Sequence, residues 1–101
     1  MGKYEAYIDS EFEDLIPLFM KNKKQEIYDL RKYLGIHNYD QIVFLGHRIK
    51  GSGSGYGFKT IGDIGLQLEH YGAMRDENQI YDLINQLETY IQSVSIIYID
   101  M

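Results

Sequence analysis

The sequence predicts an all-α protein, an antiparallel four-helix bundle with an additional short N-terminal helical segment. Three observations predict it. Apolar residues recur at helical spacing over most of the 101 residues. Cap residues of the Ser/Asn/Asp class precede these stripes. The single proline and the absence of Asn-Gly hairpin signals leave little that reads as sheet. Amphipathic helices joined by short connections bury their stripes most simply against one another.

The elements follow in order. "SEFE" starts with Ser10 and has Glu13 three residues on, the pattern of a capping box. Ile16, Met20, Ile27, Leu30 and Leu34 then form a stripe. Pro17 interrupts it, and either kinks a helix or sits in the first turn of a new one. Gly35 is the expected stop. Asn38, with Gln41 three residues on, caps a second helix carrying Ile42, Leu45 and Ile49. "TIGD" is expected to cap a third with Thr60, and its stripe is Ile61, Ile64, Leu68 and Tyr71, ended by Gly72. Asp76 and Gln79 open a fourth, with Ile80, Ile84, Leu87, Ile91 and Val94. The helix is extended into the β-branched end, "VSIIYID".

Composition bounds the function. The length suits one domain, residues 1–101. Such a chain buries one core without a deep substrate cavity besides. A net charge of −5 argues against nucleic acid and anionic membrane as partners. No cysteine is present, which excludes disulfides and thiolate metal sites and fits a cytoplasmic setting. No apolar h-region opens the chain, and no apolar run is long enough to span a membrane.

The unusual stretch is "GHRIKGSGSGYGF", where five of thirteen residues are glycine. As a phosphate-binding loop it fails: Phe58 stands where G-x-x-x-x-G-K-[ST] needs glycine, and no strand precedes it. As a plain loop it leaves unexplained the helical stripe that enters it in phase. Continued as a helix at about 100° per residue, it aligns Ile42, Leu45, Ile49, Ser52 and Tyr56 on one core-facing stripe. His47 then lies roughly opposite Leu45, toward solvent. Val43, Lys50, Gly51 and Ser54 share its face, which beyond the lysine carries only small residues on its C-terminal side. Each interior glycine costs about 1 kcal/mol of helix propensity against alanine. Gly51 and Ser54 gain no core packing in return, so the cleared face beside His47 suggests close approach by another macromolecule. Gly46 and Gly53 point sideways, where close helix–helix packing is expected.

These residues resemble the signature of the histidine-containing phosphotransfer domains of phosphorelays. That pattern is roughly H-x-[LIM]-K-G-[SA], a glycine ten residues after the histidine, and L-E on the next helix. His47, Ile49, Lys50, Gly51, Ser52, Gly57, Leu68 and Glu69 occupy those places. "DLIPLFMKNKKQEIYDLRKYL" is similar to the family's second helix, proline included. Gly53 and Gly55 are additions to the pattern.

The resemblance implies a phosphocarrier rather than a true enzyme. His47 would be the phosphoacceptor, and Lys50 would stabilise charge on the phosphoryl oxygens. Gly51 and Ser54 would leave room for the partner, and Val43 and Phe44 would form an apolar docking patch. The implied partners are response-regulator receiver domains and a hybrid or sensor histidine kinase. The receiver would supply the acceptor aspartate and Mg²⁺, so this chain needs no cofactor or metal of its own. A monomer is expected. The competing reading is a non-phosphorylated helical adaptor binding receivers or other helices through the same face, which would not require His47. A self-associating structural bundle is a third. His37 and His70 read as structural or surface residues. Glu69 and Asp63 form no visible acid/base pair.

Overall fold

The computed structural model describes residues 4–101; residues 1–3 of the expected single domain lie outside them. Most of the described chain is helical. The element order is strand β1 (Tyr4–Asp9), a 3-10 segment (Ser10–Leu15), α1 (Ile16–Gly35), α2 (Tyr39–Tyr56), α3 (Lys59–Met74), α4 (Glu77–Ser93) and strand β2 (Val94–Ile99). In packing, α2 lies along α3, α3 against α4, and α1 against both α4 and α2.

The helix boundaries show which local signals dominated. Pro17 falls in the first turn of α1, where its missing N–H costs nothing. Asn38 accepts from the Gln41 amide at 3.3 Å and Asp76 from that of Gln79 at 3.2 Å, as the cap patterns predict. α1 ends at Gly35, with His37 taking the left-handed conformation beyond it (φ 56°).

Four expectations are corrected. Ser10 does not cap: Asp9 accepts from the Glu11 amide at 2.9 Å, while the Ser10 hydroxyl donates to Asp100 Oδ1 at 2.6 Å. Thr60 does not cap α3 either: the helix begins one residue earlier, at Lys59, so Thr60 lies inside it, with its side chain toward the Tyr90 phenol. The α3 entry is set instead by Phe58, which is fully buried and stacks on Phe19 at 5.0 Å. Gly72 does not end α3. The helix runs to Met74, and Gly72 sits where a side-chain carbon would stand 3.0 Å from Val43 Cγ2.

The fourth correction is the C-terminal stretch, which is a strand and not the end of α4. Val94 turns extended (φ −69°, ψ 132°), and β2 pairs in parallel with β1, Tyr4 with Val94 through Asp9 with Ile99. Valine and isoleucine lose side-chain freedom in a helix and suit a pleated surface. Ala6 and Ile8 of β1 are buried beneath this ribbon, while Glu5, Tyr7, Ser95 and Ile97 face out. A parallel pair demands a partner far away in sequence, and here the partner is the other end of the chain.

Candidate functional site

The glycine-rich stretch is helical. α2 continues unbroken to Tyr56 and closes at Gly57, whose φ of +91° is the left-handed cap that favours glycine. Packing compensates for the poor helix propensity. The Tyr56 ring lies 4.8 Å from that of Phe19 and 5.2 Å from that of Phe12, and Phe58 follows into the core. The stripe predicted through Ile42, Leu45, Ile49, Ser52 and Tyr56 is buried or half-buried throughout.

Small residues on both helices let α2 and α3 approach closely and antiparallel. A side-chain carbon on Gly46 would stand 2.7 Å from the Glu69 backbone nitrogen, and one on Gly53 would stand 2.6 Å from that of Gly62. Gly65 lies against the backbone of Gly46 and Lys50. Real side chains do not tolerate such distances, so these glycines belong to the seam. The sideways reading of Gly46 and Gly53 was legible in sequence. The matching set Gly62, Gly65 and Gly72 on α3 was not assigned there, although three- and seven-residue spacings align them on one face.

Gly51 is different. It is exposed, and a side-chain carbon there would meet nothing within 4 Å. It is therefore not a packing glycine. Ser54 is also exposed, with its hydroxyl leaning toward Gly62. Val43 is half-buried against Gly72, while Phe44 is 58% exposed with the Arg48 guanidinium 6.0 Å from its ring centre. Lys50 is half-buried one helical turn from His47, and its ammonium has no ion-pair or hydrogen-bond partner among the described residues.

His47 stands out on this face with its side chain 67% exposed. Its Nδ1 lies 3.2 Å from Glu69 Oε2, a carboxylate presented by α3. A carboxylate only accepts hydrogen bonds, so a neutral imidazole meeting it places its proton on Nδ1 and its lone pair on Nε2. The pair brings together two residues that periodicity could not join, since they lie on different helices. Glu69 matched the family pattern, but its role depends on the seam. The other histidines are elsewhere: His37 Nε2 is 3.5 Å from Glu77, and the His70 ring lies edge-on to Tyr71 at 4.9 Å.

A cleft of about 410 Å³ lies apart from this face. It opens between α1 and α2 beside a buried ion pair, Lys23 Nζ to Glu26 Oε1 at 2.7 Å, and does not include His47. What the His47 face offers chemically is one imidazole nitrogen directed away from its carboxylate partner, an unpaired ammonium nearby, and open space over Gly51. No helix is long and apolar enough to cross a membrane among the described residues. No protein-family model, curated protein or solved structure matches the chain.

Proposed function

We propose that this chain is a histidine phosphotransfer domain of a phosphorelay. In this reading it is an antiparallel four-helix bundle that works in the cytoplasm. It carries a phosphoryl group on His47 between aspartates of response-regulator receiver domains, with a hybrid or sensor histidine kinase upstream. The observation that carries the reading is the exposed His47, held through Nδ1 by Glu69, beside a helix face left open at Gly51.

The chemistry follows from that geometry. A neutral imidazole carries a nitrogen lone pair that can act as nucleophile. Nε2 attacks the phosphorus of an aspartyl phosphate. The N–P bond forms as the P–O bond to the aspartate breaks, and the aspartate leaves as a carboxylate. The ring becomes cationic and keeps its proton on Nδ1, where the Glu69 carboxylate stabilises it. Return of the group to another aspartate reverses these steps. Phosphoryl transfer is governed mainly by positioning and charge stabilisation. Lys50, one turn from His47 and unpaired, supplies positive charge for the phosphoryl oxygens. Gly51 leaves room for the receiver, and Phe44, Val43 and Ser54 border its approach. The Mg²⁺ of the reaction belongs to the receiver, and no residue of this chain is asked to bind it.

A helical adaptor would need neither a free imidazole nitrogen nor a carboxylate fixing the other one. The test is incubation with phosphorylated receiver domains, following label on this chain. Wild type should be labelled and His47→Gln should not, with the fold unchanged because the side chain is exposed. Label that survives in His47→Gln and is lost in a His37 or His70 variant would reassign the acceptor. Receivers that bind without transferring label would favour the adaptor.

A further inference from the structure

Among the described residues β1 and β2 form a two-stranded sheet, and each has one edge with no strand of those residues beside it. The outward peptide groups of an edge need water or another strand. The two edges here are not equivalent. β1 carries Glu5 and Asp9, and its Tyr7 carbonyl lies near the α2–α3 turn, 3.9 Å from where a side-chain carbon on Gly57 would stand. β2 reads Val94-Ser95-Ile96-Ile97-Tyr98-Ile99, without charge, proline or glycine, and without a bulge in its register. Charge, proline and bulges are among the devices that keep natural edge strands from associating, and β2 carries none of these three.

We propose that the free edge of β2 pairs with the same edge of a second copy of this chain. The strands run antiparallel about a two-fold axis at Ile97, giving a four-stranded sheet with both β2 strands at its centre. Such a contact uses the same patch on both copies and closes at two, whereas pairing β1 of one copy with β2 of the next would propagate. With Ile97 opposite Ile97, Ser95 stands opposite Ile99 and Ile96 opposite Tyr98. Outward residues then meet outward residues, as the period of two requires. Tyr7 is in register with Ile97 within the chain, so Tyr7, Ile97, Ile97 and Tyr7 form one apolar row across the outer face. At present Tyr7 is 56% and Ile97 36% exposed. The row gives both apolar cross-strand neighbours.

Charge selects this pairing over its alternative. Joining two β1 edges about Tyr7 would set Glu5 opposite Asp9 twice. The β2 pairing leaves all four carboxylates on the outer strands. Six residues per strand make a small contact, so a weak dimer is expected, with a dissociation constant on the order of 100 µM. This departs from the monomer the sequence suggests, and it is independent of the phosphotransfer reading.

Sedimentation equilibrium of the full chain from about 10 µM to about 1 mM should show a monomer–dimer equilibrium. Ile97→Lys places like charges at the two-fold axis and should weaken association at least ten-fold, with the circular dichroism spectrum unchanged because Ile97 faces outward. Mixing Ile97→Lys with Ile97→Glu should restore a dimer containing one of each. A monomer mass over the whole range for wild type overturns the proposal. So does a dimer that Ile97→Lys leaves intact, or one that mixing does not restore.

Discussion

His47 Nδ1 and Glu69 Oε2 stand 3.2 Å apart across the seam between α2 and α3, joining residues 22 positions apart in the chain. The contact fixes which ring nitrogen holds the proton. Glu69→Ala removes both the acceptor and its charge, and should slow phosphotransfer about ten-fold or more, at least ~1.4 kcal/mol of barrier. Glu69→Gln keeps an acceptor without the charge and should be affected less. Nitrogen NMR of the neutral ring separates positioning from a general structural effect: wild type should show the Nδ1–H form, and Glu69→Ala a shift toward Nε2–H. Wild-type rates and tautomer in both variants would remove Glu69 from the mechanism.

Gly51 and Gly65 make a contrasting pair. Gly51 faces open space, so Gly51→Ala should raise stability by about 1 kcal/mol through helix propensity alone. Gly51→Gln should leave the thermal midpoint unchanged or higher and slow transfer strongly by obstructing the partner. Gly65 lies against the α2 backbone, so Gly65→Ala must force the helices apart and should cost about 3 kcal/mol. Thermal melts of the variants beside transfer rates check both halves. Unfolding of Gly51→Gln would show that this glycine serves the backbone and not docking.

On the proposed phosphotransfer reading, the Lys50 ammonium would act partly through solvent, so a modest contribution is expected. Lys50→Ala should slow transfer about ten-fold, or ~1.4 kcal/mol, and higher salt should shrink the difference. A transition-state role slows the forward and reverse rates together and leaves the equilibrium in place. Stabilisation of the finished phosphohistidine would instead shift the equilibrium toward the receiver's aspartate. Forward and reverse rates at two ionic strengths distinguish the two. Rates equal to wild type would leave His47, Glu69 and the cleared face as the machinery.

Burial raises the Tyr90 phenol above the ordinary tyrosine range, with the Thr60 hydrogen bond opposing the shift. The folded state therefore holds this proton more tightly than the unfolded state does. That stability is fully present below the unfolded value, about pH 10, and is lost as pH rises through the folded value. Denaturant midpoints measured from pH 8 to 11 should fall above about pH 10. Tyr90→Phe should lower the midpoint at neutral pH by losing the Thr60 bond, and should flatten the alkaline decline. An unchanged slope in that variant would place the alkaline loss on other groups.

The sequence by itself determined the four helices, the caps at Asn38 and Asp76, the first-turn place of Pro17, and the helical nature of the glycine stretch. Each of these is a local matter of periodicity, cap chemistry or one proline ring, settled within a few residues. The outward phase of His47 and the sideways phase of Gly46 and Gly53 followed from the same period. Tertiary structure decided the rest. Ser10 looked like a cap, but a distant partner, Asp100, took its hydroxyl, and Thr60 fell inside α3 once the buried Phe58 set the helix entry. Gly72 looked like a helix stop, but it is a gap into which Val43 and Ile42 pack. Val94–Ile99 continued a helical stripe on paper and became a strand because Tyr4–Asp9 lies beside it. The Glu69 carboxylate gained its place at His47 only when α2 and α3 closed over their glycines. All of these depend on which distant segment comes to lie alongside, and a one-dimensional pattern carries each segment's own preference but not the identity of its neighbour.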